Sequence, residues 1–167
     1  QYWLRLLIPI VELAAKELQD TLDNCYLRTS QWPHVQRAAQ GAVDKFHNVP
    51  TGEWAKDYDV RSFHFVVEVS KWGPDDVEQH RENYVIRQTQ RYAEYFSSVE
   101  SNPLTIRQVE ACIVDEDNNL VLAGAGTGKT SAMIGRAGFL LKSKQAKPSQ
   151  VLMLAYARKA SKEMQER

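Results

Sequence analysis

Eight consecutive residues constrain this chain more than any other feature: Ala123-Gly124-Ala125-Gly126-Thr127-Gly128-Lys129-Thr130. They follow the apolar run Leu120 to Ala123 and open a helical pattern over Thr130 to Leu141. The arrangement G-x-x-x-x-G-K-[ST] between a strand and a helix marks a phosphate-binding loop. Only the first position departs from it, with Ala123 where Gly would stand. Alanine is small, and the Gly124 that follows is expected to supply the backbone freedom. Glycines let the chain curl so that its N–H groups converge on phosphate oxygens, and the helix N-terminus adds its positive dipole end. A chance glycine turn is the bland alternative, and the strand–loop–helix context argues against it.

Chemistry assigns roles within the run. Gly124, Ala125, Gly126, Thr127 and Gly128 would wrap the phosphates, with Ser131 just behind them. Lys129 would reach the β and γ phosphates. The Thr130 hydroxyl would ligate Mg²⁺, an ion that usually keeps several of its waters. Lys129 and Thr130 are therefore the candidate catalytic groups. The run points to a nucleoside triphosphate and says nothing of what the nucleotide drives.

Upstream, Leu4, Leu7, Ile8, Val11, Ala14, Ala15, Leu18 and Leu22 recur at helical spacing, predicting a helix over 3–24 with Pro9 as a kink or a start. A short helix is expected near 34–46, with turn signals at Trp32-Pro33 and at Val49-Pro50-Thr51-Gly52. Phe63, Phe65, Val67 and Val69 alternate with polar residues, broken only by Val66, and predict a half-buried strand with His64 on its polar face. Gly73-Pro74-Asp75-Asp76 starts a helix expected to run to about Val99, with Val77, Tyr84, Val85, Tyr92, Phe96 and Val99 as a core stripe. Ser101-Asn102-Pro103 ends it and is the expected domain boundary. Beyond lie a short helix over 106–114, the strand Leu120 to Ala123, the loop, its helix, a second strand over Val151 to Tyr156 and a helix over 159–167.

Strand–helix–strand–helix order begins a parallel sheet. The expected fold is thus α/β: a largely helical region over 1–100 with one or more strands, then the incomplete start of a parallel-sheet domain over 101–167. Charge follows the same division. Lys+Arg and Asp+Glu balance at 21 each, yet residues 1–100 carry a net charge of −4 and residues 101–167 a net charge of +4. Only the second part has the sign suited to phosphate. No apolar run approaches the roughly 20 residues of a membrane span. Cys25 and Cys112 fit neither a disulfide framework nor a zinc site, so a reducing, cytoplasmic setting is expected. The chain opens on Gln1 and ends inside an expected helix, as a piece of a longer polypeptide would.

Two flanking segments narrow the reading. Pro103-Leu104-Thr105-Ile106-Arg107-Gln108 places a glutamine 21 positions before Lys129. A side-chain amide both donates and accepts, which matches the N6/N7 edge of adenine. Downstream, Ala155-Tyr156-Ala157-Arg158-Lys159-Ala160-Ser161-Lys162-Glu163-Met164-Gln165-Glu166-Arg167 is a basic helix following an apolar run. With the loop, these resemble the Q motif, motif I and motif Ia of the UvrD/Rep group of superfamily-one DNA helicases. Asn83-Tyr84-Val85, Tyr92 to Phe96, Val99 to Leu104 and Asp115 to Leu120 are similar to the segment before the motor in the helicase IV type of that group.

The resemblance implies a RecA-like P-loop domain and an ATP- and Mg²⁺-dependent 3′→5′ DNA helicase. Gln108 would contact adenine, and Gly124 to Ser131 would hold the nucleotide. Tyr156 and Arg158, at the family's aromatic and Asn positions, would touch single-stranded DNA. An aromatic there can stack on any base. Single-stranded DNA and 3′-tailed duplexes are the implied partners, with no membrane. Two positions depart from the pattern: Arg158 replaces Asn, and Ser131 stands where relatives carry Arg. The sequence holds no Asp-Glu-x-Gln and no second motor domain, so these residues alone are expected to bind nucleotide and not to turn it over. The alternatives are a non-catalytic ATP-binding or DNA-docking module and another P-loop NTPase or kinase.

Overall fold

The computed structural model describes residues 2–46, 60–156, 158, 161, 162 and 164. The chain divides into two compact units, Gln1–Glu82 and Asn83–Arg167. The division falls inside one helix, and Ser101-Asn102-Pro103 lies within the second unit.

The first unit is built from α1 (Tyr2–Asn24), α2 (Trp32–Asp44), α3 (Arg61–Ser70) and the start of α4 (Pro74–Arg91). Along α1, Val11, Ala15, Leu18 and Leu22 repeat at helical spacing and are all buried. Pro9 sits inside the helix rather than at its start. Trp32 begins α2, with Pro33 in its first turn, where a missing N–H matters least. Val35, Ala39 and Ala42 of α2 join Leu27, Phe46, Val66, Val69 and Val77 in one apolar core. Burying each large aliphatic side chain contributes about 1.5–3 kcal/mol. Phe46 meets Phe63 at 5.1 Å, and Trp32 stacks on Trp72 at 6.1 Å. Arg81 fixes the chain between α1 and α2, donating through Nε to the Leu27 carbonyl at 2.8 Å. Val49-Pro50-Thr51-Gly52, expected as a turn, lies outside the described residues.

The strand expected over Phe63 to Val69 is instead α3. Val66, the residue that broke the alternation, is fully buried together with Val69, while His64 and Glu68 are exposed. Phe63, Val66 and Val69 are three apart and share one face of a helix. α3 packs that face on α1 and α2. A strand would have needed a ladder partner, whereas a helix satisfies its own backbone.

The second unit holds the rest of α4, α5 (Ala93–Ser98), α6 (Ile106–Ile113), α7 (Lys129–Lys142) and a 3₁₀ turn at Pro148–Gln150. The long helix expected to reach Val99 is interrupted at Tyr92, whose φ of −110° and ψ of 22° leave the helical region. Phe139 of α7 is fully buried. It meets Tyr92 edge-on at 5.2 Å and stacks with Phe96 at 5.7 Å. Tyr95 donates its hydroxyl proton to the Gly135 carbonyl at 3.0 Å. The aromatic stripe is therefore core, as its spacing suggests. α6 packs against α7 through the buried Val109, Cys112 and Ile113. Gly135 permits that approach, because a Cβ there would come within 2.7 Å of Leu104 Cδ1 and 3.0 Å of Cys112 Sγ.

The α/β expectation is overturned: the described residues contain helices and no strand or sheet. Leu120 to Ala123 and Val151 to Tyr156 are neither helical nor paired. A two-stranded pair is marginal in water, and strands of a parallel sheet need both faces covered. Here the apolar side chains face solvent: Leu122 is 86% exposed and Leu152 81%. Along 151–156 exposure still alternates with period two, so the sequence signal is real while its ladder partners are lacking. No helix among the described residues is long and apolar enough to cross a membrane.

Candidate nucleotide-binding site

The site begins at the N-terminus of α6. Thr105 has the extended backbone of a helix cap, with φ −68° and ψ 159°. Its hydroxyl accepts from the Gln108 N–H at 3.4 Å, and Gln108 Oε1 accepts from the Thr105 N–H at 2.8 Å. This reciprocal pair satisfies two orphan donors of the first turn. It also holds the Gln108 side chain in one direction.

That direction leads to the glycine loop. Gln108 Nε2 donates to the Thr127 carbonyl at 3.0 Å, across 19 residues of sequence. Thr127 in turn donates its hydroxyl proton to the Gly124 carbonyl at 2.9 Å, closing the loop on itself. Left-handed backbone occurs at Gly126, φ 74°, and at Gly128, φ 81°. The expected freedom is thus used at these two glycines rather than at Gly124. Gly128 is the N-cap of α7, and the first turn after it carries no acidic residue. The N–H groups of Lys129, Thr130 and Ser131 have no acceptor within the helix, since the first intrahelical bond runs from the Ala132 N–H to Gly128 O at 3.0 Å. The positive end of α7 is therefore not neutralised by its own side chains.

Lys129 folds back on the loop. Its Nζ donates to the carbonyls of Ala123 at 3.1 Å and Gly124 at 2.6 Å. The ammonium is exposed, and its backbone acceptors are neutral, so its full charge is available to an anion. Thr130 and Ser131 are half-buried in the first turn of α7. Gly124, Ala125, Gly126 and Thr127 are exposed. The donor set fits a polyphosphate: loop amides, a helix N-terminus and one exposed cation. Among the described residues no group of three His, Cys, Asp or Glu side chains gathers to hold a metal. A Mg²⁺ ion carried on phosphate needs few protein ligands, and the Thr130 hydroxyl suits that use.

The structure brings together Gln108 and the loop. Tyr156 and Arg158 follow the 3₁₀ turn in the chain, both exposed, and Arg158 has helical backbone; most of the helix expected over 159–167 lies outside the described residues. Three supporting residues were not singled out from the sequence. Thr105 was legible, because Thr-x-x-Gln is a capping-box signature. Arg136 and Cys112 were not, because their partners are distant in sequence. Arg136 NH1 donates to Val114 O at 2.5 Å, and NH2 pairs with Asp115 Oδ1 at 2.7 Å, closing the C-terminal end of α6. Cys112 Sγ donates to Ala132 O at 3.3 Å.

Comparison with known proteins agrees with the motifs. Residues 104–167 match the family model of the UvrD/REP helicase N-terminal domain. The chain is 48% identical over 89 residues to DNA helicase IV of Escherichia coli K12, covering 53% of this chain and 13% of that protein. It is 40% identical over 67 residues to a probable DNA helicase II homolog of Mycoplasma pneumoniae, covering 40% of this chain and 9% of that protein. It is 39% identical over 66 residues to the ATP-dependent DNA helicase PcrA of Staphylococcus aureus, covering 40% and 9%. The chain thus spans a small part of the length of each of these relatives. No solved structure matches it. The resemblance carried by Gln108, the glycine loop and the basic segment after Val151 is borne out, and residues 104–167 are similar to the N-terminal domain of UvrD/REP helicases.

Proposed function

We propose that this chain supplies the ATP-binding start of a DNA helicase that couples ATP hydrolysis to 3′→5′ unwinding. The single observation behind the reading is the loop itself. Two left-handed glycines lead into a helix N-terminus without a side-chain cap, and Lys129 at that terminus folds back on the loop. Such an arrangement suits a triphosphate. The names of the relatives, ATP-dependent DNA helicase among them, supply the reaction.

Binding would proceed by exchange. Lys129 Nζ gives up the carbonyls of Ala123 and Gly124 for phosphate oxygens, trading neutral acceptors for charged ones, which are roughly twice as strong. The free N–H groups of the first turn of α7 take further oxygens. Thr130 would hold Mg²⁺, whose charge would offset that of the phosphates. Gln108 is the residue that the helicase resemblance assigns to the adenine base. Tyr156, fully exposed, presents a ring on which a base of single-stranded DNA can stack. Single-stranded DNA and 3′-tailed duplexes are the proposed substrates. The sequence contains no Asp-Glu-x-Gln, so the 167 residues alone should bind without turnover.

Titration of the chain with a fluorescent ATP analogue tests the reading. Lys129→Ala should reduce affinity at least tenfold, by roughly the loss of one charged hydrogen-bonding group. Equal affinity in variant and parent would refute the phosphate loop.

A further inference from the structure

Gln108 is set to do more than read a base. Its amide is almost fully engaged by the protein's own groups. Oε1 accepts from the Thr105 N–H at 2.8 Å and from the Thr105 hydroxyl at 3.1 Å, which uses both lone pairs. Nε2 donates to Thr127 O at 3.0 Å, leaving one amide hydrogen. The acceptor that an adenine amino group would need is already taken.

The partner of Nε2 is informative. Thr127 is the residue before Gly128, whose left-handed backbone turns the loop into α7. A Cβ on Gly128 would collide with Gln108 Nε2. Gly128 is required for its φ of 81°, and its missing Cβ also leaves room for the glutamine amide to lie against the loop. The capping box fixes one end of the Gln108 amide, and the carbonyl of the loop fixes the other. α6 and the loop are thereby tied at the point where phosphate would sit.

We infer that Gln108 is a positioning residue for the phosphate loop, holding the Thr127–Gly128 peptide so that the loop amides face a polyphosphate whatever base it carries. This rests on the reading that the loop takes a triphosphate. It differs from adenine contact in its consequence. A residue that only reads adenine affects ATP and leaves inorganic tripolyphosphate alone. A residue that shapes the loop affects both.

The test uses the full chain and three ligands: tripolyphosphate, ATP and GTP, each titrated calorimetrically. Gln108→Ala should weaken all three by about fivefold, the worth of one neutral hydrogen bond. A parallel variant, Thr105→Ala, separates the tether from the helix cap. It removes the cap hydroxyl but leaves the Thr105 N–H on Oε1 and the Nε2 contact with the loop. Its loss of tripolyphosphate affinity should be clearly smaller than that of Gln108→Ala, because the Thr105 N–H still holds Oε1 and Nε2 still holds the loop. Tripolyphosphate affinity unchanged in Gln108→Ala, with ATP alone weakened, would overturn the inference in favour of base reading. Equal losses in Thr105→Ala and Gln108→Ala would overturn it in favour of a cap effect. Failure of the underlying reading looks different: the parent would bind none of the three ligands, or Lys129→Ala would bind them all as the parent does.

Discussion

Arg136 of α7 closes the end of α6, its guanidinium lying 2.7 Å from Asp115 Oδ1 and 2.5 Å from the Val114 carbonyl. The Ala111 and Cys112 carbonyls are also within 3.5 Å. These are the carbonyls a helix leaves without partners at its C-terminus, and a cation there also meets the negative end of the helix dipole. α6 is thus fixed at both ends: by Thr105 and Gln108 at its start, and by an arginine from the helix that follows the glycine loop.

Removing Arg136 should therefore cost more than a surface ion pair. The two side chains are 27% and 15% exposed, so water replaces the lost contacts only in part. Arg136→Ala is expected to lower unfolding stability by about 2 kcal/mol. Asp115→Asn should cost less, because the guanidinium keeps its carbonyl partners. Urea denaturation followed by far-UV circular dichroism measures both. An unchanged midpoint in Arg136→Ala would show that the closure is ornamental.

Val66 provides the sharpest contrast between pattern and structure. In the segment Arg61–Ser70, five of ten residues are large and apolar, and they satisfy period two almost as well as they satisfy a helix. Short apolar runs do not separate the two by periodicity alone. The glycine loop was legible because its requirement is local: positive φ at Gly126 and Gly128, and a lysine at the helix start. The contact of Gln108 with Thr127 O was not legible, since it exists only once α6 lies against α7. Leu120 to Ala123 and Val151 to Tyr156 show the same limit from the other side. Composition marks an apolar run, but burial depends on partners that composition does not specify.

The helix makes a prediction that a strand would reverse. Val66 points into the core, fully buried, whereas Val67 is only half-buried. Val66→Ala should destabilise the first unit by about 2 kcal/mol through lost burial and a residual cavity. Val67→Ala should cost well under half of that. In an alternating strand Val67 would be the inward residue, and the order would invert. Trp32 and Trp72 lie against this core, so tryptophan fluorescence during urea unfolding reads the difference directly.

Behind the loop, burial shapes the chemistry of Cys112. Loss of hydration pushes its thiol up from the ordinary 9.0 to about 12, with the nearby Arg136 guanidinium offsetting only part of the rise. Tyr95 is raised from 10.0 to about 12, by burial first and then by Cys112 and Glu100. Both groups are neutral when protonated, and both hold their protons more tightly in the folded chain. The unfolded chain therefore releases protons first as pH rises. Their contribution to stability is complete below the unfolded value of 9.0 and is lost progressively toward about 12. Thermal melts followed by circular dichroism should show a midpoint steady near pH 8 and falling above about pH 9, less steeply in Cys112→Ala. The same burial predicts selective alkylation, because the thiolate is the reactive species. Cys25 is exposed and Cys112 buried. Iodoacetamide at about pH 8 should add one group to the native chain and a second only after unfolding in urea. Modification of both thiols at similar rates in the native chain would show that α6 opens freely from α7. The closed packing of Cys112 against Ala132 would then be wrong.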